Sequence, residues 1–264
     1  MTENKPLILI TNDDGVDAKG IKFLAETVKD FGKVVVVAPA QPMSAQSHAI
    51  TVRDPLRYKL VSSTENFEVY VCNGTPVDCI KLGLHQIMSN VPSIILSGIN
   101  HGPNLSASVF YSGTMAAAIE GCLNQIPSIG FSLDDFSHNA DFSQTRPYIR
   151  QIVQQTLEQG LANNVCLNVN FPAKPEASIK GVKIVRQLHG KWREEFIQRE
   201  HPHGGHYYWL SGDFISMEPE ATDTDTWAVE NGYVSIVPTQ LDLTAHHFIQ
   251  NLKTWNLNVY EEKK

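Results

Sequence analysis

The chain has 264 residues and carries 28 Asp plus Glu against 21 Lys plus Arg, a formal net charge of −7. Hydrophobic residues make up 42% and charged residues 19%, which excludes a disordered chain and suits one large domain or two small ones. The acidic balance argues against a binder of long nucleic acid, which needs a basic face for phosphates, but leaves room for a small phosphorylated ligand.

Leu7 to Ile10 reads as a short buried strand, and Ile21, Leu24, Ala25 and Val28 then share one helical face. Val34 to Val37 is a second, β-branched strand. Short alternating segments over residues 50–71 predict a hairpin or a side sheet. Asn73-Gly74 reads as a hairpin turn. Val77, Ile80, Leu84 and Ile87 follow as a helix, with Thr75 as N-cap and Pro76 at its first position. Ile94 to Leu96 is a strand, Thr114 to Leu123 an Ala-rich helix, and Ile126 to Phe131 a strand. Ile149, Ile152, Val153, Thr156 and Leu157 mark a long helix before a strand at Val165 to Val169. This alternation predicts an α/β fold with a mainly parallel sheet and helices on both faces.

Residues 188–213 break the rhythm, being rich in Gly, His and aromatics without helical periodicity. They predict an extended β-hairpin arm, whose Trp192, Phe196, Tyr207, Tyr208 and Trp209 would be covered by another subunit. The chain closes with a strand, Val234 to Val237, and a helix beginning near Thr244. The expectation is a single domain over 1–264, with an oligomerisation arm at about 188–213 and a C-terminal element at about 241–264. There is no apolar run near ~18 residues and no apolar leader, so neither a membrane span nor a secretory signal is expected. Cys72, Cys79, Cys122 and Cys166 form no C-x-x-C pair, which fits reduced thiols in a cytoplasmic protein.

Three stretches could carry chemistry. Thr11-Asn12-Asp13-Asp14-Gly15 follows the first strand, where ligands bind in open parallel sheets. Its two carboxylates could hold a hard divalent cation, although Asp-Gly is also a common turn dipeptide. Ala38-Pro39-Ala40-Gln41-Pro42-Met43-Ser44-Ala45-Gln46-Ser47-His48 brings hydroxyls and an imidazole to the same sheet edge, and by itself reads as an ordinary loop. Ser97-Gly98-Ile99-Asn100-His101-Gly102-Pro103-Asn104 is read as a loop after a strand, leading to Tyr111-Ser112-Gly113-Thr114 at the start of a small-residue helix. Such a helix start can bind an anion through backbone N–H groups, with Ser112 and Thr114 adding hydroxyl donors, or can simply be a capped, tightly packed helix. His201, His203 and His206 match no metal-ligand spacing and read as an exposed arm tip. No G-x-S-x-G elbow, Walker A or G-x-G-x-x-G sequence is present.

In combination these motifs resemble the stationary-phase survival protein SurE family, metal-dependent phosphatases of nucleoside monophosphates. The match runs through Asn12-Asp13-Asp14-Gly15, the Ala38-Pro39 loop with Ser44, and Gly74-Thr75-Pro76-Val77-Asp78-Cys79. It continues through Ser97-Gly98-Ile99-Asn100 and Tyr111-Ser112-Gly113-Thr114, with Asp242-Leu243-Thr244 similar near the C-terminus. The resemblance implies a Rossmann-like core and a homodimer or homotetramer assembled partly by exchanged C-terminal elements. It also implies one divalent metal ion per subunit, Mg²⁺ or Mn²⁺, held by Asp13, Asp14, Ser44 and Asn100. Catalysis would then fall to Asp13, Asp14 and Asn100, and phosphate contacts to Asn104, Ser112, Gly113 and Thr114. The sequence departs from the family where Ser44-Ala45 replaces a frequent Ser-Gly and Leu105-Ser106 a frequent Leu-Gly.

The expected reaction is hydrolysis of nucleoside 5′- or 3′-monophosphates, with metal polarising a phosphoryl oxygen. Asp13, Asp14, His101 and His48 all stand open as candidates for proton transfer. A metal hydrolase of a non-phosphate substrate and a non-catalytic nucleotide-binding protein are the alternatives.

Overall fold

The computed structural model describes residues 5–173, 178–193 and 196–257. Its first half builds a sheet from short β-branched runs: β1 (Leu7–Thr11), β2 (Lys33–Pro39), β3 (Tyr58–Thr64), β4 (Phe67–Cys72) and β5 (Ile94–His101). β6 (Ser128–Leu133), β7 (Val165–Phe171) and β8 (Val182–Ile184) follow, then β9 (Gly190–Arg193), β10 (Phe196–Glu200), β11 (His206–Leu210), β12 (Asp213–Ser216) and β13 (Val234–Gln240). The helices are α1 (Lys19–Val28), α2 (Pro76–Leu82), α3 (Gly113–Leu123), α4 (Arg146–Gln159), α5 (Asp225–Glu230) and α6 (His246–Leu252).

The main sheet has the order β3-β4-β2-β1-β5-β6-β7-β13-β8. From β4 to β7 the strands run parallel, while β3 and β13 are antiparallel to their inner neighbours β4 and β7. Strand order reverses direction around β1, so a crevice opens at the carboxyl ends of β1 and β5, where Thr11 pairs with Ser97.

Alternation along the strands sends side chains to two apolar layers. Ile8, Ile10, Val34 and Val36 pack with Ile21, Leu24 and Val28 of α1 and Ile149 and Val153 of α4. Leu9, Val35 and Val37 point the other way, onto Cys79 and Ile80 of α2 and Ala117 of α3. The sheet is thus covered on both faces, as the near-continuous apolar runs of its central strands require. Among the described residues no helix is long and apolar enough to cross a membrane.

Several local readings need correction. The hairpin in 50–71 turns at Glu65-Asn66, and β4 pairs in parallel with β2, so it extends the main sheet instead of forming a side sheet. Asn73-Gly74 makes no hairpin turn. It joins β4 to α2, where Thr75 and Asp78 form a reciprocal capping box at a helix that starts with Pro76. That helix ends at Leu82, with a π-turn over Gly83–Ile87 carrying the rest of the apolar pattern. β6 starts at Ser128, not Ile126.

The largest difference is β5, which continues through Asn100 and His101. Its pairing with β6 slips between Ser97 and Asn100, and Gly98 has φ +119 there. A Cβ on Gly98 would lie 2.2 Å from the Phe131 carbonyl oxygen, so only Gly fits this crossing.

The arm is a two-tiered antiparallel hairpin, β9 with β12 and β10 with β11. β10 and β11 are exposed throughout, including Phe196, Tyr208, Trp209 and Leu210. His201 and His203 lie at its tip, their rings 5.6 Å apart, and His206 begins β11. α6 buries none of its residues, and Leu243, Phe248 and Trp255 around it are exposed. Residues 258–264 of the expected C-terminal element lie outside the described residues.

The arm root is tied to the loop before α3. Asp225, fully buried at the start of α5, accepts the Ser106 N–H at 2.8 Å and the Leu188 N–H at 2.9 Å. The Ser106 hydroxyl donates to the Leu188 carbonyl at 2.7 Å, and the Gln187 amide to the Ser106 carbonyl at 2.8 Å.

Candidate active site

Where β1 ends, the chain turns sharply, and the Asn12 amide donates to the Gly15 carbonyl at 3.0 Å. This turn sends Asp13 into the protein, only 4% exposed, and leaves Asp14 half-buried beside it. The loop after β2 is drawn against the same place. Met43 N–H donates to the Asp13 carbonyl at 2.7 Å, one residue before exposed Ser44. Ser47 fastens the far end of that loop to the segment before α3, through bonds to the Phe110 and Tyr111 carbonyls.

β5 supplies the third side. Asn100 donates its Nδ2 to the Gly102 carbonyl at 2.7 Å, which keeps its amide oxygen as the ligand-capable atom. His101 donates to Asp14 Oδ2 from its backbone N–H at 3.1 Å and meets the same oxygen through Nδ1 at 3.0 Å.

α3 closes the site with its N-terminus. Ser112 is the N-cap, its Oγ accepting the Met115 N–H at 3.0 Å, which leaves the hydroxyl proton free to donate outward. Gly113 faces Asp13 so closely that a Cβ would sit 2.8 Å from the Asp13 Cβ and 2.9 Å from its Oδ2. Here Gly brings the positive end of a helix against a carboxylate.

Thr114 Oγ1 donates to Asp13 Oδ1 at 2.6 Å. Burial pushes the Asp13 carboxyl from its ordinary 3.8 to about 6; the bonds from Thr114 pull it partly back and the Asp14 charge adds to the rise.

Two of the residues expected to contact phosphate also bond within the protein. The Thr114 hydroxyl is directed at Asp13. Asn104 is buried, with Nδ2 donating to Ser132 Oγ at 2.8 Å, its N–H donating to Asn170 Oδ1 at 2.7 Å and its carbonyl accepting from Asn168. Sequence reading missed this Ser132, Asn168 and Asn170 frame. Polar residues alternating within apolar strands were its only signal. His48 stays on the exposed outer loop, while His101 enters the site directly.

The donors present are two carboxylates, an amide oxygen and a hydroxyl, the hard oxygen set that suits Mg²⁺, Mn²⁺ or Ca²⁺. Asn12 Oδ1, buried without a partner among the described residues, adds another oxygen at this turn. With a carboxylate held ionisable at a buried position, the residues fit a hard divalent cation.

Both departures from the family pattern occupy left-handed backbone, Ala45 at φ 59 and Ser106 at φ 50. That conformation costs a residue with a Cβ roughly 1–2 kcal/mol relative to Gly, which explains why Gly is frequent there. At Ser106 the bonds to Asp225, Leu188 and Gln187 hold the strained residue in place.

A family model described as Survival protein SurE matches residues 8–194. The chain is 51% identical over 259 residues to a protein of Phocaeicola vulgatus named 5′-nucleotidase SurE, covering 98% of this chain and 100% of that one. It is 50% identical to a protein of the same name from Flavobacterium psychrophilum, covering 97% and 99%. The crystal structure of the SurE protein from Aquifex aeolicus superposes with a TM-score of 0.81 at 37% identity, covering 94% of this chain and 98% of that chain. With the family match spanning most of the chain and the fold shared with a solved member, this protein belongs to the SurE family.

Proposed function

We propose that the chain is a metal-dependent 5′-nucleotidase, hydrolysing nucleoside 5′-monophosphates to nucleoside and phosphate. The observation that carries this reading is the meeting of the Asp13-Asp14 pair with the N-terminus of α3, where the Gly113 backbone lies against Asp13. A cation site and an anion site are thereby adjacent, which is what a phosphomonoester requires.

Asp13, Asp14, Ser44 and Asn100 would hold Mg²⁺ or Mn²⁺. Such an ion polarises a phosphoryl oxygen and lowers the pKa of bound water. Ser112 Oγ–H and the Gly113 N–H at the helix start would receive the phosphoryl oxygens and stabilise the charge that grows on them. Thr114 keeps Asp13 oriented, and the buried Asn104 frame fixes the loop leading to Ser112. The surplus negative charge of the apo site makes phosphate affinity depend on the cation.

The test is phosphate release from a panel of nucleoside monophosphates with Mg²⁺, Mn²⁺ or Co²⁺. Release should vanish in EDTA and fall by at least about a hundredfold in Asp13→Ala. A purified protein that cleaves no phosphomonoester with any of these ions overturns the reading.

The arm and the C-terminal element form the proposed contacts of a homodimer or homotetramer. The exposed Phe196, Tyr208, Trp209 and Leu210 of the arm, and Leu243 and Trp255 of the C-terminal element, support this, because large exposed apolar side chains in such number need cover. Light scattering that gives a monomer mass would refute it. The four free cysteines, all buried, accord with a cytoplasmic location.

A further inference from the structure

We propose that His101 is a positioning residue for Asp14, fixing the carboxylate so that Oδ1 is presented to the cation. This rests on the metal-ligand reading of Asp14 given above.

Two donors from one residue converge on one oxygen. The His101 backbone N–H reaches Asp14 Oδ2 at 3.1 Å and the ring Nδ1 at 3.0 Å. Against a carboxylate oxygen, which accepts, the ring contact is a hydrogen bond in the tautomer that carries the proton on Nδ1. With Oδ2 accepting both hydrogen bonds, the carboxylate's rotation is set and Oδ1 becomes the oxygen available for a ligand.

The imidazole is itself held. His101 is the last residue of β5, and its ring stands edge-on to Phe142 at 5.1 Å and 87°. Phe142 is buried and contacts Phe23 of α1 at 5.8 Å. A rigid strand end and a buried aromatic therefore aim one hydrogen bond at one half of the carboxylate pair. Hydrogen bonds of this kind around metal ligands order them in advance of binding, and their loss typically weakens the metal about 10- to 100-fold. Asp13 has its own such partner in Thr114, so each carboxylate of the pair is oriented by a different strand or helix terminus.

A crossed pair of substitutions separates the hydrogen bond from the packing. His101→Asn retains an N–H near the Nδ1 position and gives up the ring. His101→Phe retains an aromatic edge contact with Phe142 and gives up the donor. Mn²⁺ binding is measured by titration calorimetry on EDTA-stripped full-length protein, with Asp14→Ala alongside. His101→Phe should weaken Mn²⁺ binding about 10- to 100-fold while its melting temperature stays near wild type. His101→Asn should keep an affinity within about threefold of wild type. KM for the nucleotide at saturating Mn²⁺ should change little in either variant.

Wild-type Mn²⁺ affinity in His101→Phe overturns the inference. So does a loss in His101→Asn as large as that in His101→Phe, since packing would then be the cause. Wild-type affinity in Asp14→Ala instead overturns the ligand assignment itself, a separate failure.

Discussion

Replacing Asp13 by Asn should abolish activity and at the same time stabilise the metal-free protein. Burial raises the Asp13 carboxyl from 3.8 to about 6, a shift of about two units, each worth ~1.36 kcal/mol. The folded state therefore binds a proton more readily than the unfolded chain. Below pH 3.8 the group is protonated in both states and costs nothing; as pH rises to about 6 the unfolded chain ionises first and stability is lost. Above that the full cost, about 3 kcal/mol, is present. Asn has no such titration, and its Oδ1 can still accept the Thr114 hydroxyl that lies 2.6 Å from Asp13.

Thermal melts in EDTA at about pH 8 should place Asp13→Asn about 6–12 °C above wild type. The gap should shrink toward zero at about pH 4. Saturating Mn²⁺ should raise the wild type alone, by about 2.7 kcal/mol at a hundred times Kd. A variant no more stable than wild type in EDTA at about pH 8, or a gap that ignores pH, refutes the reasoning.

Gly113→Ala should keep the fold and lower kcat by about a hundredfold or more, because its Cβ would press within 2.9 Å of Asp13; steady-state kinetics beside circular dichroism checks this. Asp225→Ala leaves the buried Ser106 and Leu188 N–H groups without their acceptor, at about 1–3 kcal/mol each. Urea denaturation should show a loss of about 2–6 kcal/mol, and kcat should drop with it. Ala45→Gly should stabilise by about 1 kcal/mol by relieving φ 59, measurable as a shifted urea midpoint, with metal affinity unchanged.

The apolar strands and the capped helices were legible because their signals are local. Leu7 to Ile10, Val34 to Val37 and the Thr75-Pro76 helix start needed only run length, branching and capping chemistry. The end of β5 was hidden because Gly98 and Asn100 resemble loop residues, while tertiary pairing with β6 keeps them in the sheet. In the site, Asp13 and Asp14 were readable as oxygen donors at a strand end, whereas Ser44 and Asn100 entered as ligands only through the family resemblance. What no spacing could reveal was division of labour among neighbours: Thr114 serving Asp13, His101 serving Asp14, and Asn104 locked to Ser132 and Asn170. Those pairings join residues from 28 to 101 positions apart, and only the folded register decides them. The departures at Ala45 and Ser106 were likewise visible as letters, but their left-handed backbone was not.

The bonding of Ser106 to Gln187, Leu188 and Asp225 also bears on how the arm can change over evolution or by engineering. The arm is not a detachable module. Among the described residues its outer tier, β10 with β11, shares no hydrogen bond with this staple, so its length and surface are not tied to the site loop. A cut at its root removes the scaffold of the loop that delivers Ser112 and Gly113. Lineages and designers alike are free to rewrite what the arm meets in a partner, provided the graft points lie beyond Leu188 and before Asp225.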